Sequence, residues 1–84
     1  MNGIVHYINQ KRGLVAVLTT DGVYSIVEPL SSADFALADA VSWVRTIPLG
    51  EGVVRNLTRE DYARVCFQAH SVPKEHLAKA LLLE

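Results

Sequence analysis

Residues 14–27 read Leu14-Val15-Ala16-Val17-Leu18-Thr19-Thr20-Asp21-Gly22-Val23-Tyr24-Ser25-Ile26-Val27, and this stretch decides the fold. Two runs rich in β-branched and aliphatic residues flank Asp21-Gly22, a pair that tolerates the positive φ values a tight hairpin turn demands. The stretch is therefore a β-hairpin, with strands over residues 14–20 and 23–27. On its N-terminal side, Ile4 to Ile8 is another β-type run, set apart from Leu14 by the polar loop Asn9-Gln10-Lys11-Arg12-Gly13. The first 27 residues thus form a three-stranded meander. Glu28-Pro29 ends the third strand, because proline has no amide donor for a ladder.

Beyond the meander, Ser31-Ser32-Ala33-Asp34 predicts a polar connection with room for a short helical turn. Residues 40–47 predict a fourth strand, with Val41, Trp43 and Arg45 along it, closed by Pro48. Gly50-Glu51-Gly52 reads as a turn and residues 53–57 as a fifth strand. At Thr58 the pattern changes. Thr58-Arg59-Glu60-Asp61 offers a hydroxyl cap with a carboxylate three places on, the signature of a helix start. Tyr62, Val65, Cys66 and Ala69 then fall on one helical stripe. Ser71-Val72-Pro73 breaks that helix and opens another carrying Leu77, Ala80 and Leu81.

Five short strands in about sixty residues, a meander of three followed by a link and a final pair, is the order of an OB barrel, with an SH3-like barrel as the alternative. The expected fold is mainly β: a five-stranded OB-type barrel over residues 1–58, then a helical tail of two short α-helices over residues 59–84 packed on it as one structural domain. Eighty-four residues, half of them apolar, leave room for a single core.

Within this frame Gly3-Ile4-Val5-His6-Tyr7-Ile8-Asn9 resembles the opening strand of cold-shock domains, Gly-Thr-Val-Lys-Trp-Phe-Asn. Arg12-Gly13-Leu14-Val15-Ala16-Val17 stands where that family has Lys-Gly-Phe-Gly-Phe-Ile. Ala38-Asp39-Ala40-Val41-Ser42-Trp43 resembles its fourth strand, and Gly52 through Asn56-Leu57-Thr58 its closing Ala-x-Asn-Val-Thr. Together the matches cover about two thirds of the chain, in family order. The resemblance implies a cytoplasmic module that binds single-stranded nucleic acid by stacking bases on exposed rings, at about 1–3 kcal/mol per base.

The departures from the pattern weaken that platform. Leu14 and Ala16 replace two outward phenylalanines, so two stacking positions are lost. Tyr7 replaces a tryptophan, and Tyr24 keeps a ring if the third strand points it outward. A register shift of one residue would instead send Tyr24 and Ile26 inward and leave Ser25 and Val27 outside. The candidate nucleic-acid contacts are Tyr7, Lys11, Arg12, Leu14, Tyr24 and Arg55. A formal net charge of −1 gives no long-range attraction to phosphate, so binding is expected to be weak.

The other expectation from the same residues is a protein-interaction or assembly module with no nucleic-acid binding. Its partner, or a second copy in a homodimer, would cover the aliphatic Leu14/Ala16 face or meet the C-terminal helices. Trp43 is read as core. Cys66, the single cysteine, has His70 four residues on, and two ligands do not make a metal site. With no cofactor motif, no nucleophile beside a base, no leader and no apolar run of membrane length, the reading is a non-enzymatic, cytoplasmic protein with no membrane association.

Overall fold

A computed structural model describes residues 1–30, 35–44 and 49–82. Six strands account for most of it: β1 (Asn2–Asn9), β2 (Leu14–Thr19), β3 (Tyr24–Pro29), β4 (Ala40–Ser42), β5 (Gly50–Asn56) and β6 (Asp61–Val72). They close a barrel in the order β1-β2-β3-β6-β5-β4, every pairing antiparallel. Each half of the chain is a meander, and the halves join through β1 with β4 and β3 with β6. A single 3-10 turn (Lys74–His76) leads into α1 (Leu77–Ala80). The protein is thus a mainly β closed barrel with a small C-terminal helical extension. No helix of the described residues is long and apolar enough to cross a membrane.

Two details of the expected architecture are corrected. The barrel has six strands, and the first expected helix, with its stripe Tyr62/Val65/Cys66/Ala69, is β6. Residues 61–72 consequently belong to the barrel, not to a tail beginning at residue 59. The physical reason lies in a sequence that fits both periods. Ala63, Val65 and Phe67 are buried in the interior cluster while Tyr62, Arg64 and Gln68 are exposed, an alternation of two. Without this strand β3 and β5 would each present an unpaired edge, and β6 pairs with both.

Nor does the polar run at Thr58 cap a helix. Asn56 pairs with Asp61 across a four-residue hairpin loop, Asn56 Oδ1 accepts from the Arg59 amide at 3.1 Å, and Glu60 takes the left-handed φ of 54°. Thr58 Oγ1 accepts instead from the Ala40 amide at 2.8 Å, tying this loop to β4. The second expected helix does form, although it is short, and Leu77 and Leu81 are buried on it as expected. The expected fourth strand is observed over Ala40–Ser42. Trp43 and Val44 lie beyond its end, and its expected continuation through residues 45–47, like the expected connection over residues 31–34, lies outside the described residues.

Two apolar clusters hold the chain. The interior one gathers Val5, Val15, Val17, Val27, Val41, Val54, Val65 and Phe67, with Trp43 tilted on Phe67 at 5.5 Å between ring centroids. The second lies on the opposite side of β2 and β3: Leu14, Ala16, Tyr24 and Ile26 meet Val72 at the end of β6 and Leu77 and Leu81 of the C-terminal helical turn. Both faces of β2 and β3 are therefore buried, which is why their sequences are nearly continuous apolar runs instead of alternating ones.

At the other side of the barrel, Asp39 is buried where the loop before β4 meets the β5–β6 turn. Its Oδ2 accepts from the Ala36 amide at 3.0 Å, Asn56 Nδ2 at 2.9 Å and Arg59 Nε at 3.1 Å. Burial alone would raise this carboxyl, but the Asn56 amide, the Ala36 N–H and the Arg59 guanidinium outweigh it and hold it below its ordinary 3.8. Its contribution to stability is therefore fully present above pH 3.8 and is lost as pH falls through the lower, folded value.

Three outcomes are expected from urea unfolding. Asp39→Ala costs about 2–3 kcal/mol at pH 7, and the gap to wild type closes on acidification. Leu81→Ala, at a fully buried position, costs about 2–5 kcal/mol if the tail is integral to the fold. Gly3→Ala costs about 1–3 kcal/mol, since a Cβ there would stand 2.5 Å from Val17 Cγ1 and 2.7 Å from the Leu18 carbonyl oxygen.

Candidate binding surfaces

The six candidate contacts do not form one surface. Tyr7 follows an irregularity in β1, where Val5 pairs with Val17 but Tyr7 with Ala16, so His6 is the extra residue of a bulge. The bulge turns His6 and Tyr7 toward Tyr24: the His6 and Tyr7 rings meet edge-on at 4.7 Å, and His6 stacks on Tyr24 at 5.7 Å. Tyr7 remains 41% exposed. Lys11 and Arg12 are exposed on the adjoining β1–β2 turn. Arg55 lies on β5, opposite Tyr62 of β6, with its guanidinium 5.9 Å from that ring centroid.

Leu14 and Tyr24 are buried instead. The uncertain alternation of β3 resolves with Ser25 and Val27 inward and Tyr24 and Ile26 outward, yet Tyr24 is only 3% exposed because the tail lies over it. Its hydroxyl is 2.9 Å from His6 Nδ1. Ala16 is wholly buried beneath the same cover. One polar bond secures this cover: Asn9 Nδ2 donates to the Leu81 carbonyl at 2.6 Å, joining the end of β1 to the last turn of the chain. The tail thus occupies the outer face of β2 and β3, where the cold-shock resemblance implies the ligand.

No family model, curated protein or solved structure matches this chain. Its surfaces must therefore be read from their own chemistry.

Sequence reasoning missed two features. The first is an apolar groove of about 300 Å³ on the outside of β1, formed by Ile4 between Leu18 of β2, Ala40 of β4 and Leu57. Ile4 and Leu57 are about two-fifths exposed, and among the described residues no ionisable side chain lines the groove. Its sequence signal was Ile4 itself, an outward aliphatic on a strand whose inward neighbours, Gly3 and Val5, are buried. The second is a cavity of about 260 Å³ at one end of the barrel, bordered by Thr19, Ser25, Trp43 and His70. Ser25, a hydroxyl inside an apolar run, was its signal.

Cys66 and His70 do not share a helix face. Cys66 stands between Glu28 and Glu51 on β6, while His70 Nδ1 bonds Ser25 Oγ at 2.9 Å. Among the described residues no three acidic, histidine or cysteine side chains gather as a metal would need.

Burial pushes the Tyr24 phenol above its ordinary 10.0, with the neighbouring Tyr7 adding to the effect. Docking of the tail is therefore unaffected below pH 10.0 and weakens as pH rises beyond it, where the unfolded chain releases the proton more readily. The wild-type urea midpoint is expected to fall more steeply above pH 10.0 than that of Tyr24→Phe. Equal slopes would disconnect the phenol from the tail.

Proposed function

We propose that this chain is a cold-shock-like barrel that works as a protein-interaction module, the face expected to carry nucleic acid having been given over to its own tail. The single observation that carries the reading is the burial of Leu14, Ala16, Tyr24 and Ile26 under Leu77 and Leu81. Base stacking needs rings open to solvent, and at these positions there is no open ring. The surface left for recognition is the β1 groove. Its lining of Ile4, Leu18, Ala40 and Leu57, with the uncharged Asn2 and Thr20 at its rim, suits an uncharged apolar segment of another protein. A phosphate backbone would find no counter-charge there. A cytoplasmic location fits the same reading.

One observation keeps a second reading. Tyr7, with Lys11 and Arg12 exposed on the neighbouring turn, is enough for one stacked base and nearby phosphates, as a weak single-strand contact. Arg55 is spatially tied to Tyr62 and would serve a separate contact.

Oligonucleotide titration and partner capture separate the two. The expected result is no tyrosine or tryptophan fluorescence change with short pyrimidine strands at low salt up to about millimolar strand. Alongside it, a protein partner captured by wild type should be lost by Ile4→Asp and Leu57→Asp, each of which costs about 1–2 kcal/mol at these half-exposed sites and leaves the barrel folded. Micromolar, salt-sensitive oligonucleotide binding that Tyr7→Ala removes would establish the second reading instead.

A further inference from the structure

We infer that the open end of the barrel between β3 and β6 is a binding site for a small, uncharged, hydroxyl-bearing molecule of about monosaccharide size. The inward row of the barrel is aliphatic or aromatic through Val15, Val17, Val27, Val65 and Phe67. At this end the same row changes to Thr19, Ser25 and His70, and these border the 260 Å³ cavity together with Trp43 and Asp21. Aliphatic residues at 19 and 25 would continue the core at no desolvation cost, whereas polar groups turned inward must find partners. Small-molecule sites commonly occupy the mouths of barrels, where a few convergent polar groups stand against an apolar wall.

The hydrogen bonds already made indicate which groups are left over. Thr19 Oγ1 donates to the Val23 carbonyl at 2.9 Å, which leaves its lone pairs as acceptors. Ser25, almost wholly buried, has its hydroxyl 2.9 Å from His70 Nδ1. Either partner can donate in that bond, according to the imidazole tautomer. Nε2 is shut off from solvent and has no protein partner, so one ring nitrogen is left unmatched. The site therefore suits a ligand that donates toward Thr19 and the Asp21 carboxylate and can either donate or accept at the imidazole side. A hydroxyl does both. The Met1 ammonium, bonded to the Trp43 carbonyl at 2.8 Å, and the Asp21 carboxylate both border the cavity, so its lining carries one charge of each sign and favours an uncharged ligand over an ion. The volume equals about nine waters at roughly 30 Å³ each, enough for a pentose or hexose ring. Trp43 also borders the cavity and supplies an aromatic surface to such a ring.

Trp43 is the chain's one tryptophan, so its emission reports occupancy directly. The full chain is titrated with ribose and with glucose, using acetate and methylammonium as charged controls. A saturable emission change with at least one sugar, half-complete at roughly 1–50 mM and about tenfold weaker for either control, supports the site. Ser25→Val and His70→Phe should each weaken the response at least about tenfold; each strands the other's buried polar atom and melts below wild type, whereas the double variant Ser25→Val/His70→Phe strands neither and melts no lower. Should either variant misfold, amide and His70 imidazole NMR shifts of wild type with sugar decide: changes centred on Thr19, Ser25 and His70 support the proposal, and changes elsewhere overturn it. No saturable change up to about 100 mM of either sugar, a response to acetate or methylammonium as strong as to sugar, or an unaltered response in both folded variants overturns it, leaving a cavity that holds water alone.

Discussion

Everything in this fold depends on β6 finding two partners at once. Its residues pair with β3 from Val65 to Val72 and with β5 from Asp61 to Phe67, so one strand closes the gap between the two meanders. Closure removes both sheet edges, and the cost of unpaired amide and carbonyl groups makes that a strong constraint on a twelve-residue segment. The irregular pairing with β3 follows from the same demand. Ile26 pairs with Ala69 but Val27 with Phe67, and Ser71 takes a left-handed φ of 55°, so the strand bends as it leaves the barrel. That bend turns His70 inward to Ser25 and Val72 outward to Tyr24, assigning one residue to the cavity and the next but one to the tail's apolar cluster.

The tail then settles what the outer face of the first meander can do. Burying Leu77 and Leu81 yields about 1.5–3 kcal/mol each, a substantial share of the roughly 5–15 kcal/mol that small domains have in total. Exposure of the aliphatic face beneath would forfeit that, and also the Asn9 to Leu81 bond. A nucleic acid competing for this face would have to repay the loss without a ring on which to stack, because the ring that remains, Tyr24, is held to His6 under the cover. Aliphatic residues on this face and a tail that covers it belong together: aliphatic groups are poor stacking partners and good packing partners.

Residues with one dominant preference were legible in the sequence. Asp21-Gly22, with the flanking β-branched runs, specified the β2–β3 hairpin, and Gly22 does adopt a positive φ of 81°. The core placement of Trp43 and the burial of Leu77 and Leu81 followed from size and spacing. Residues 61–72 were not legible, because Tyr62, Val65, Cys66 and Ala69 satisfy a helical period while Ala63, Val65 and Phe67 satisfy a strand period. The choice between them is made by the vacant edges of β3 and β5, which a local window cannot see. Likewise the alternation of β3 was open because both of its faces are buried: when inside and outside are equally apolar, periodicity carries no information on direction. Of the candidate contacts, the exposed Tyr7, Lys11, Arg12 and Arg55 were found by residue type, whereas the fate of Leu14 and Tyr24 depended on a tail sixty residues away.

Polar side chains inside the barrel mark where the two halves of the molecule differ in purpose. Near the loop before β4, the buried Asp39 is matched by three donors: the Ala36 amide within its own loop, Asn56 at the end of β5 and Arg59 of the β5–β6 turn. Such a network is complete, so it specifies structure and offers nothing to a ligand. At the β3–β6 end the pairing of Ser25 with His70 is incomplete, and an open cavity adjoins it. An unmatched buried nitrogen is a standing cost to the folded state that apolar residues at positions 25 and 70 together would remove. The same chain thus satisfies one internal polar cluster in full and leaves the other unfinished, and it is the unfinished one that borders a space large enough to hold a molecule.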